Sequence, residues 1–85
     1  MASQTQTPQI RTVIADELAG IVRGKGLALP PLHDGTVFLG GDLPIDSLDL
    51  ATLLVILERR TGRDPFRAGF RQFTTLGELA ALYEP

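Results

Sequence analysis

The sequence predicts a small all-α domain: a bundle of three main helices plus one short helix, with a long first loop. Apolar residues recur at helical spacing in three separate segments, and residues that start or stop helices bound each segment. Between the first two segments, adjacent prolines and a Gly-Gly pair disfavour any continuous helix or strand. With 85 residues, 44% of them hydrophobic, the chain is long enough for one core. We expect residues 1–7 to be a flexible leader and residues 8–85 to form a single domain.

The first helix is predicted over residues 8–24. Thr7 suits the N-cap, and Pro8 suits the first helical position, where its missing N–H costs nothing. Apolar side chains then follow an i, i+3, i+4 rhythm at Ile10, Val13, Ile14, Leu18, Ile21 and Val22. Gly24 and Gly26 favour an end to the helix at this point.

Residues 26–46 are predicted to form an irregular loop held by its own apolar side chains. We expect those side chains to be Leu32, Val37, Phe38 and Leu39. The stretch TVFL has the composition of a strand, but the chain offers no second strand to pair with it. We therefore expect no sheet.

The second helix is predicted to start at Asp46 or Ser47, either of which can cap it, and to run to Arg60. Thr61 and Gly62 then stop it. Helical geometry at about 100° per residue puts four leucines, Leu50, Leu53, Leu54 and Leu57, in one core stripe. The opposite face carries Leu48, Thr52, Val55 and Arg59, flanked by Ala51 and Glu58. Its two aliphatic residues are either incidental surface residues or a strip on which a partner docks.

The segment RDPFRAGFRQF is predicted to be an irregular turn with a short helix around 66–71, and its phenylalanines are expected in the core. These are Phe66, Phe70 and Phe73. Thr75 and Glu78 form a T-x-x-E capping box that starts the last helix. Its apolar residues, Leu76, Leu79, Ala80 and Tyr83, again follow helical spacing.

The composition excludes several classes of function. Cysteine is absent, so there are no disulfides, thiolate metal sites or cysteine nucleophiles, and the single histidine, His33, makes a histidine-based metal site implausible. The net charge of −2 is too balanced for nucleic-acid binding. No apolar run approaches the ~18 residues that span a bilayer, and the N-terminus lacks the pattern of a signal peptide. We expect a cytoplasmic monomer that binds no metal and no nucleic acid.

Ser47 has two interpretations when it is taken alone. It is an N-cap, the commoner role of an isolated Asp-Ser-Leu, or it presents its hydroxyl for chemistry. The N–H groups and the positive dipole end at a helix start favour a phosphodiester there, although Asp46 and Asp49 oppose it.

The wider context resembles the acyl carrier and peptidyl carrier protein family from about Pro8 to Tyr83. The resemblance rests on the order helix, long loop, Asp-Ser-Leu, helix, short helix and closing helix. The motif IDSLDLATLLVILERRTG contains Asp46-Ser47-Leu48, which matches the family's attachment signature. DPF at 64–66 and TTLGEL at 74–79 resemble the segments around the family's last two helices.

The resemblance implies that Ser47 is the attachment residue for 4′-phosphopantetheine, transferred from coenzyme A by a phosphopantetheinyl transferase. The chain would then be no enzyme but a carrier of acyl or aminoacyl thioesters, served by an adenylating ligase or acyltransferase and by a downstream synthase or transferase. Asp46 would help the transferase to bind, and Leu48 would belong to the surface on which partners dock. We expect the whole recognition surface to comprise Asp46, Leu48, Asp49, Ala51, Thr52, Val55 and Arg59.

The sequence departs from the family pattern at two places, and the second, in helix 2, indicates a dedicated, secondary-metabolite type of pathway. Pro44 stands where the family commonly has glycine, and it fixes the backbone and removes a donor before the attachment turn. The outer face of helix 2 holds Thr52 and Arg59 where carriers of bacterial fatty acid synthesis usually have glutamates, and Asp49 and Glu58 are the only acids retained within the helix. The alternatives are a housekeeping fatty-acid carrier and an unmodified helical adaptor in which Ser47 only caps. A hydrolase acting through Ser47 with His33 as base is a distant third.

Overall fold

The computed structural model describes residues 9–83, which form three α-helices and no β-strand. The helices are α1 (Ile10–Gly24), α2 (Ser47–Thr61) and α3 (Leu76–Tyr83). The predicted all-α class is therefore confirmed for this part of the chain. None of its helices has the length and apolar character needed to cross a bilayer.

Helix α1 starts two residues later than predicted. Its N-cap is Gln9, whose side chain makes no capping hydrogen bond. Thr7 and Pro8, together with the predicted leader over 1–7, lie outside the described residues. The predicted end at Gly24 is confirmed, and Gly26 takes a φ of 77°, which a residue with a side chain rarely adopts.

The core lies between the apolar faces of the three helices, with α1 in contact with both α2 and α3. Its fully buried members come from every helix and from the first loop: Val13, Ile14, Leu18, Leu53, Leu57, Leu76, Leu79, Ala80, Tyr83, Phe38 and Leu43. Burying a leucine or phenylalanine side chain stabilises a fold by roughly 1.5–3 kcal/mol. Leu50 and Leu54, the other two leucines of the predicted core stripe, are half-buried and pack against this cluster.

The first loop is held by only part of the predicted set of side chains, and Val37 of that set is half-buried. Phe38 is buried as predicted, and Leu32 is half-buried against the core, but Leu39 is 42% exposed. Phe38 N donates to Thr74 O beside the start of α3, and the chain bends from Phe38 onward, which leaves Leu39 on the exposed side. Leu43 is buried instead, beyond the turn at Gly40 and Gly41.

An isolated antiparallel bridge between Val37 and Thr75 fixes the loop to the start of α3. Phe38 N donates to Thr74 O at 3.0 Å, and Leu76 N donates to Thr36 O at 2.9 Å. This single bridge extends into no strand within residues 9–83, so the expectation of no sheet holds there. The capping box that starts α3 is confirmed, because Glu78 Oε1 accepts from Thr75 N at 3.1 Å and Glu78 N donates to Thr75 Oγ1 at 3.2 Å.

The predicted short helix around 66–71 is wrong, because this segment forms isolated turns. Arg67 N donates to Asp64 O at 3.2 Å and Gly69 N donates to Phe66 O at 3.0 Å, but the ladder does not continue. Gly69 has a φ of 142°, which lies outside the helical region and ends the turn. Phe66 and Phe73 are half-buried against the core. Phe70 is 71% exposed, so its predicted place in the core is also wrong.

Candidate functional site

Asp46, and not Ser47, caps helix α2. Asp46 Oδ1 accepts a hydrogen bond from Asp49 N at 2.9 Å, and Asp49 Oδ2 accepts one from Asp46 N at 3.1 Å. The two aspartates thus form a reciprocal capping box, with aspartate in place of the usual glutamate. Ser47 is the first residue inside the helix. The choice that the sequence leaves open between Asp46 and Ser47 is resolved in favour of Asp46.

The Ser47 hydroxyl consequently has no structural task in the described part of the chain. Ser47 is exposed, and its side chain takes part in no hydrogen bond with residues 9–83. The backbone N–H groups of Ser47 and Leu48 likewise have no acceptor among these residues, since the cap takes the N–H of Asp49. An accessible hydroxyl therefore lies beside two uncommitted donors at the positive end of a helix.

The chain reaches Ser47 along a path that is pinned to the core. Leu43 is buried and Ile45 is half-buried against the core, so the residue on either side of Pro44 is anchored. Ile45 and Leu50 occupy the two positions of a hydrophobic staple, and both pack against the core. The unusual φ angles of this loop belong to Gly40 and Gly41, at 144° and 111°, and proline at position 44 is compatible with the turn.

Lys25 links the end of α1 to the first turn of α2. Its Nζ lies 2.8 Å from Asp49 Oδ2, the oxygen that also accepts from Asp46 N. The hydrogen bond from Lys25, followed by the bond from the Asp46 backbone, lowers the pKa of Asp49 below its ordinary value of 3.8. The same hydrogen bond raises the pKa of Lys25, to which the charges of Asp49 and Asp46 also contribute. Lys25 was not among the predicted site residues.

The outer face of α2 is exposed over its length. Leu48 is 73% exposed and Val55 is 50% exposed, while the intervening Thr52 donates its hydroxyl to Leu48 O at 3.1 Å. The remaining predicted recognition residues on this face, Ala51 and Arg59, are exposed as well. Two large aliphatic side chains thus lie in the open on one helix face, on the side of α2 away from the buried Leu53 and Leu57.

Two of the three acids in α2 and its cap are engaged in local contacts. Asp49 is neutralised by Lys25, and Asp46 is occupied by capping. Arg60 pairs with Glu17 of α1 at 2.7 Å, whereas Arg59 has no ion-pair partner among residues 9–83. Glu58, which flanks this face, is also exposed and without an ion-pair partner among residues 9–83, so the face around Leu48 and Val55 carries both a cation and an anion at its far end.

His33 lies in a separate surface feature. It is exposed, its Nδ1 accepts from Gly35 N at 3.0 Å, and no hydrogen bond joins it to Ser47 in the described part of the chain. It borders an open groove of about 350 Å³, whose other lining residues are Arg11, Thr12, Ala15, Leu32, Asp34 and Leu76. The bidentate ion pair of Arg11 with Asp34, at 2.8 and 3.1 Å, closes one side of the groove. The structure thus shows no contact between the predicted base and the predicted nucleophile of a hydrolase.

Comparison of the chain with protein-family models, with curated proteins and with solved structures found no match.

Proposed function

We propose that this chain is a discrete carrier protein that holds acyl or aminoacyl intermediates as thioesters on a 4′-phosphopantetheine arm attached to Ser47. The observation that carries the proposal is the position of Ser47: it is the first residue of α2, it is exposed, and Asp46 performs the capping. A serine that neither caps nor packs is available for modification.

The attachment would be a phosphoryl transfer to the Ser47 oxygen. A bond forms between this oxygen and the phosphorus next to the pantetheine half of coenzyme A, and the adenosine bisphosphate half leaves as the P–O–P bridge breaks. The hydroxyl proton is taken up by the transferase or by water. The attached group supplies a terminal thiol, which forms the thioesters that a chain without cysteine cannot form itself.

The residues around Ser47 fit a phosphodiester. The free N–H groups of Ser47 and Leu48 are hydrogen-bond donors at the positive end of the α2 dipole. Two carboxylates, those of Asp46 and Asp49, oppose an added anion. Lys25, at the end of α1, offsets the charge of Asp49. Asp46 holds the first turn of α2 in place, so the attachment oxygen is presented on a rigid element.

The exposed face of α2 supplies the surface on which partner enzymes dock. Leu48 and Val55 are its apolar contacts, and Ala51, Thr52 and Arg59 complete it. Enzymes that grip an acidic helix with lysines and arginines would find Asp49 already neutralised by Lys25. This feature favours a dedicated, secondary-metabolite type of pathway over housekeeping fatty acid synthesis.

The proposal is tested by incubating the purified protein with a broad-specificity phosphopantetheinyl transferase and acetyl coenzyme A, then measuring its intact mass. We expect one acetyl-phosphopantetheine group per chain, from which neutral hydroxylamine releases the acetyl group and leaves the arm. An unmodified chain under conditions that fully modify a known carrier would favour the helical adaptor instead.

The docking face is tested by substitution. Leu48→Ala is expected to slow the modification because it removes the most exposed apolar contact near Ser47. Leu27→Ala is the matched control, since Leu27 is also an exposed leucine but lies outside α2. Equal rates for both variants would remove Leu48 from the docking surface.

A further inference from the structure

The loop between α2 and α3 exposes an aromatic side chain that the carrier function does not use. Phe70 is 71% exposed, yet its ring stacks on Phe66 with a centroid distance of 5.5 Å and an interplanar angle of 15°. It also lies 6.2 Å from the ring of Phe73, which contacts the buried Phe38 edge to face at 5.7 Å. Phe70 is therefore the outermost ring of an aromatic cluster that is anchored in the core.

Three arginines flank this ring in the sequence, and none of them forms an ion pair within the described part of the chain. Arg63, Arg67 and Arg71 are exposed and have no ion-pair partner among residues 9–83. The only acid of the loop, Asp64, accepts a hydrogen bond from Phe66 N at 3.1 Å and so serves the local turn. The loop carries a charge of +2 in a chain whose net charge is −2.

We propose that Phe70, together with Arg67 and Arg71, forms a second docking surface, for a partner protein with an acidic rim around an apolar pocket. The ring is supported from below by Phe66 and Phe73, so little side-chain freedom is lost when a pocket encloses it. Aromatic and arginine side chains are the residues in which the binding energy of protein interfaces concentrates.

Charge complementarity identifies the partner's chemistry. Exposed arginines that flank Phe70 in the sequence and have no ion-pair partner among residues 9–83 favour a surface rich in aspartate and glutamate, which also raises the rate of encounter. A protein is favoured over a nucleic acid because the rest of the chain is acidic and would repel a polyphosphate backbone. A membrane surface is disfavoured because a single exposed ring offers too little apolar area to insert.

The surface is independent of the attachment site. It belongs to the loop after α2, and none of its contacts involves Ser47. The test therefore uses the full-length unmodified chain, and a failure of modification at Ser47 leaves its result unchanged.

The experiment selects binders from a random peptide library displayed on phage, first against the wild-type chain and then against Phe70→Ala. We expect the wild-type chain to enrich peptides in which aspartate or glutamate flanks leucine or aromatic residues. The tightest-binding peptide, made synthetically, should perturb the amide resonances of residues 66–71. Its affinity for the chain should fall as salt rises from about 0.05 M to about 0.5 M.

Substitutions then distinguish specific binding at this surface from nonspecific binding. Phe70→Ala is expected to weaken peptide binding at least about thirtyfold, the loss expected of an interface hot spot, and Arg67→Gln with Arg71→Gln should abolish the salt dependence. Leu27→Ala and Arg23→Gln are the controls, as an exposed leucine and an exposed arginine outside this loop. The urea midpoint of each variant shows that it still folds.

Three outcomes would overturn the proposal. These are selected peptides without an acidic excess, equal binding by wild-type chain and folded Phe70→Ala, or resonance changes centred on another surface. Tighter binding of the same loop to an RNA homopolymer or to phosphatidylserine vesicles than to the acidic peptide would assign the surface to that class of partner instead.

Discussion

The side chains of Asp46 and Asp49 cap each other's backbone N–H groups, at 2.9 and 3.1 Å, and leave the serine between them free. The order of residues matters here, because an Asp-Ser pair at a helix start offers two equivalent caps by composition. The aspartate takes the capping position and Ser47 becomes the first helical residue. The separate contributions of Asp46 and Ser47 to stability can be measured.

Asp46→Ala is expected to lower the free energy of unfolding by about 1 kcal/mol, because it removes a helix cap. Ser47→Ala is expected to change it by less than about 0.5 kcal/mol, as an exposed residue without partners should. Urea unfolding of both variants beside the wild-type chain measures the difference. If Ser47→Ala lowered the free energy of unfolding as much as Asp46→Ala, Ser47 would also act as a cap.

The ion pair of Lys25 with Asp49 predicts a pH dependence with a defined sign. The folded state lowers the pKa of Asp49, so its contribution to stability is present above the ordinary value of 3.8 and is lost as pH falls through the folded pKa. Lys25→Met removes the largest cause of this shift, and stability should therefore fall less on acidification than in the wild-type chain.

The measurement is the urea midpoint from neutral pH down to about pH 2, where the carboxylates are mostly protonated. Arg23→Met is the matched control, because Arg23 is a cation in the last turn of α1 without an ion pair in the described residues. If the urea midpoints of Lys25→Met and the wild-type chain fall equally as the pH is lowered, the ion pair does not cause the predicted pH dependence.

Gly77 is required by a close approach between the first loop and α3. A Cβ atom at this position would lie 2.8 Å from Asp34 Cβ, and Gly77 N donates to Asp34 O at 2.9 Å. Gly77→Ala should therefore destabilise the chain by about 1–3 kcal/mol, as overpacking does. Gly20→Ala, in open space within α1, should stabilise it by about 0.5–1 kcal/mol. A thermal midpoint of Gly77→Ala that is equal to or above that of the wild-type chain would rule out the predicted contact.

Tyr83 reports on the packing of α3. Burial, followed by the negative charges of Asp64 and Glu58, raises the pKa of Tyr83 from 10.0 to about 12. The neutral phenol is favoured in the folded state, so this contribution to stability is complete below 10.0 and is lost as pH rises toward 12. Tyr83 is the only tyrosine, so the absorbance of tyrosinate titrates it alone. A midpoint near 10.0 in the folded chain would place Tyr83 in solvent.

Local signals predicted the parts of the fold that depend on neighbouring residues. The start of α2, its end at Gly62 and the Thr75–Glu78 capping box all follow from residues within one helical turn of each other. The buried Leu53 and Leu57 and the exposed Leu48 follow from helical periodicity.

Contacts between distant residues could not be predicted in this way. The partners in the Arg60–Glu17 ion pair are 43 positions apart, and no pattern in the sequence joins them or joins Lys25 to Asp49. The exposure of Phe70 depends on the turn at Gly69, whose φ angle replaces the expected short helix. A phenylalanine ring predicts burial by default, and only the backbone path decides otherwise.

The proposed attachment of a phosphopantetheine arm to Ser47 is tested by the intact mass of the chain. Wild-type protein and Ser47→Ala are each incubated with coenzyme A and a broad-specificity phosphopantetheinyl transferase, and their intact masses are compared. The wild-type chain is expected to gain one phosphopantetheine, mapped to Ser47 by fragmentation, and Ser47→Ala is expected to gain none. A wild-type chain without the group, or the same gain in Ser47→Ala, would contradict the proposed attachment.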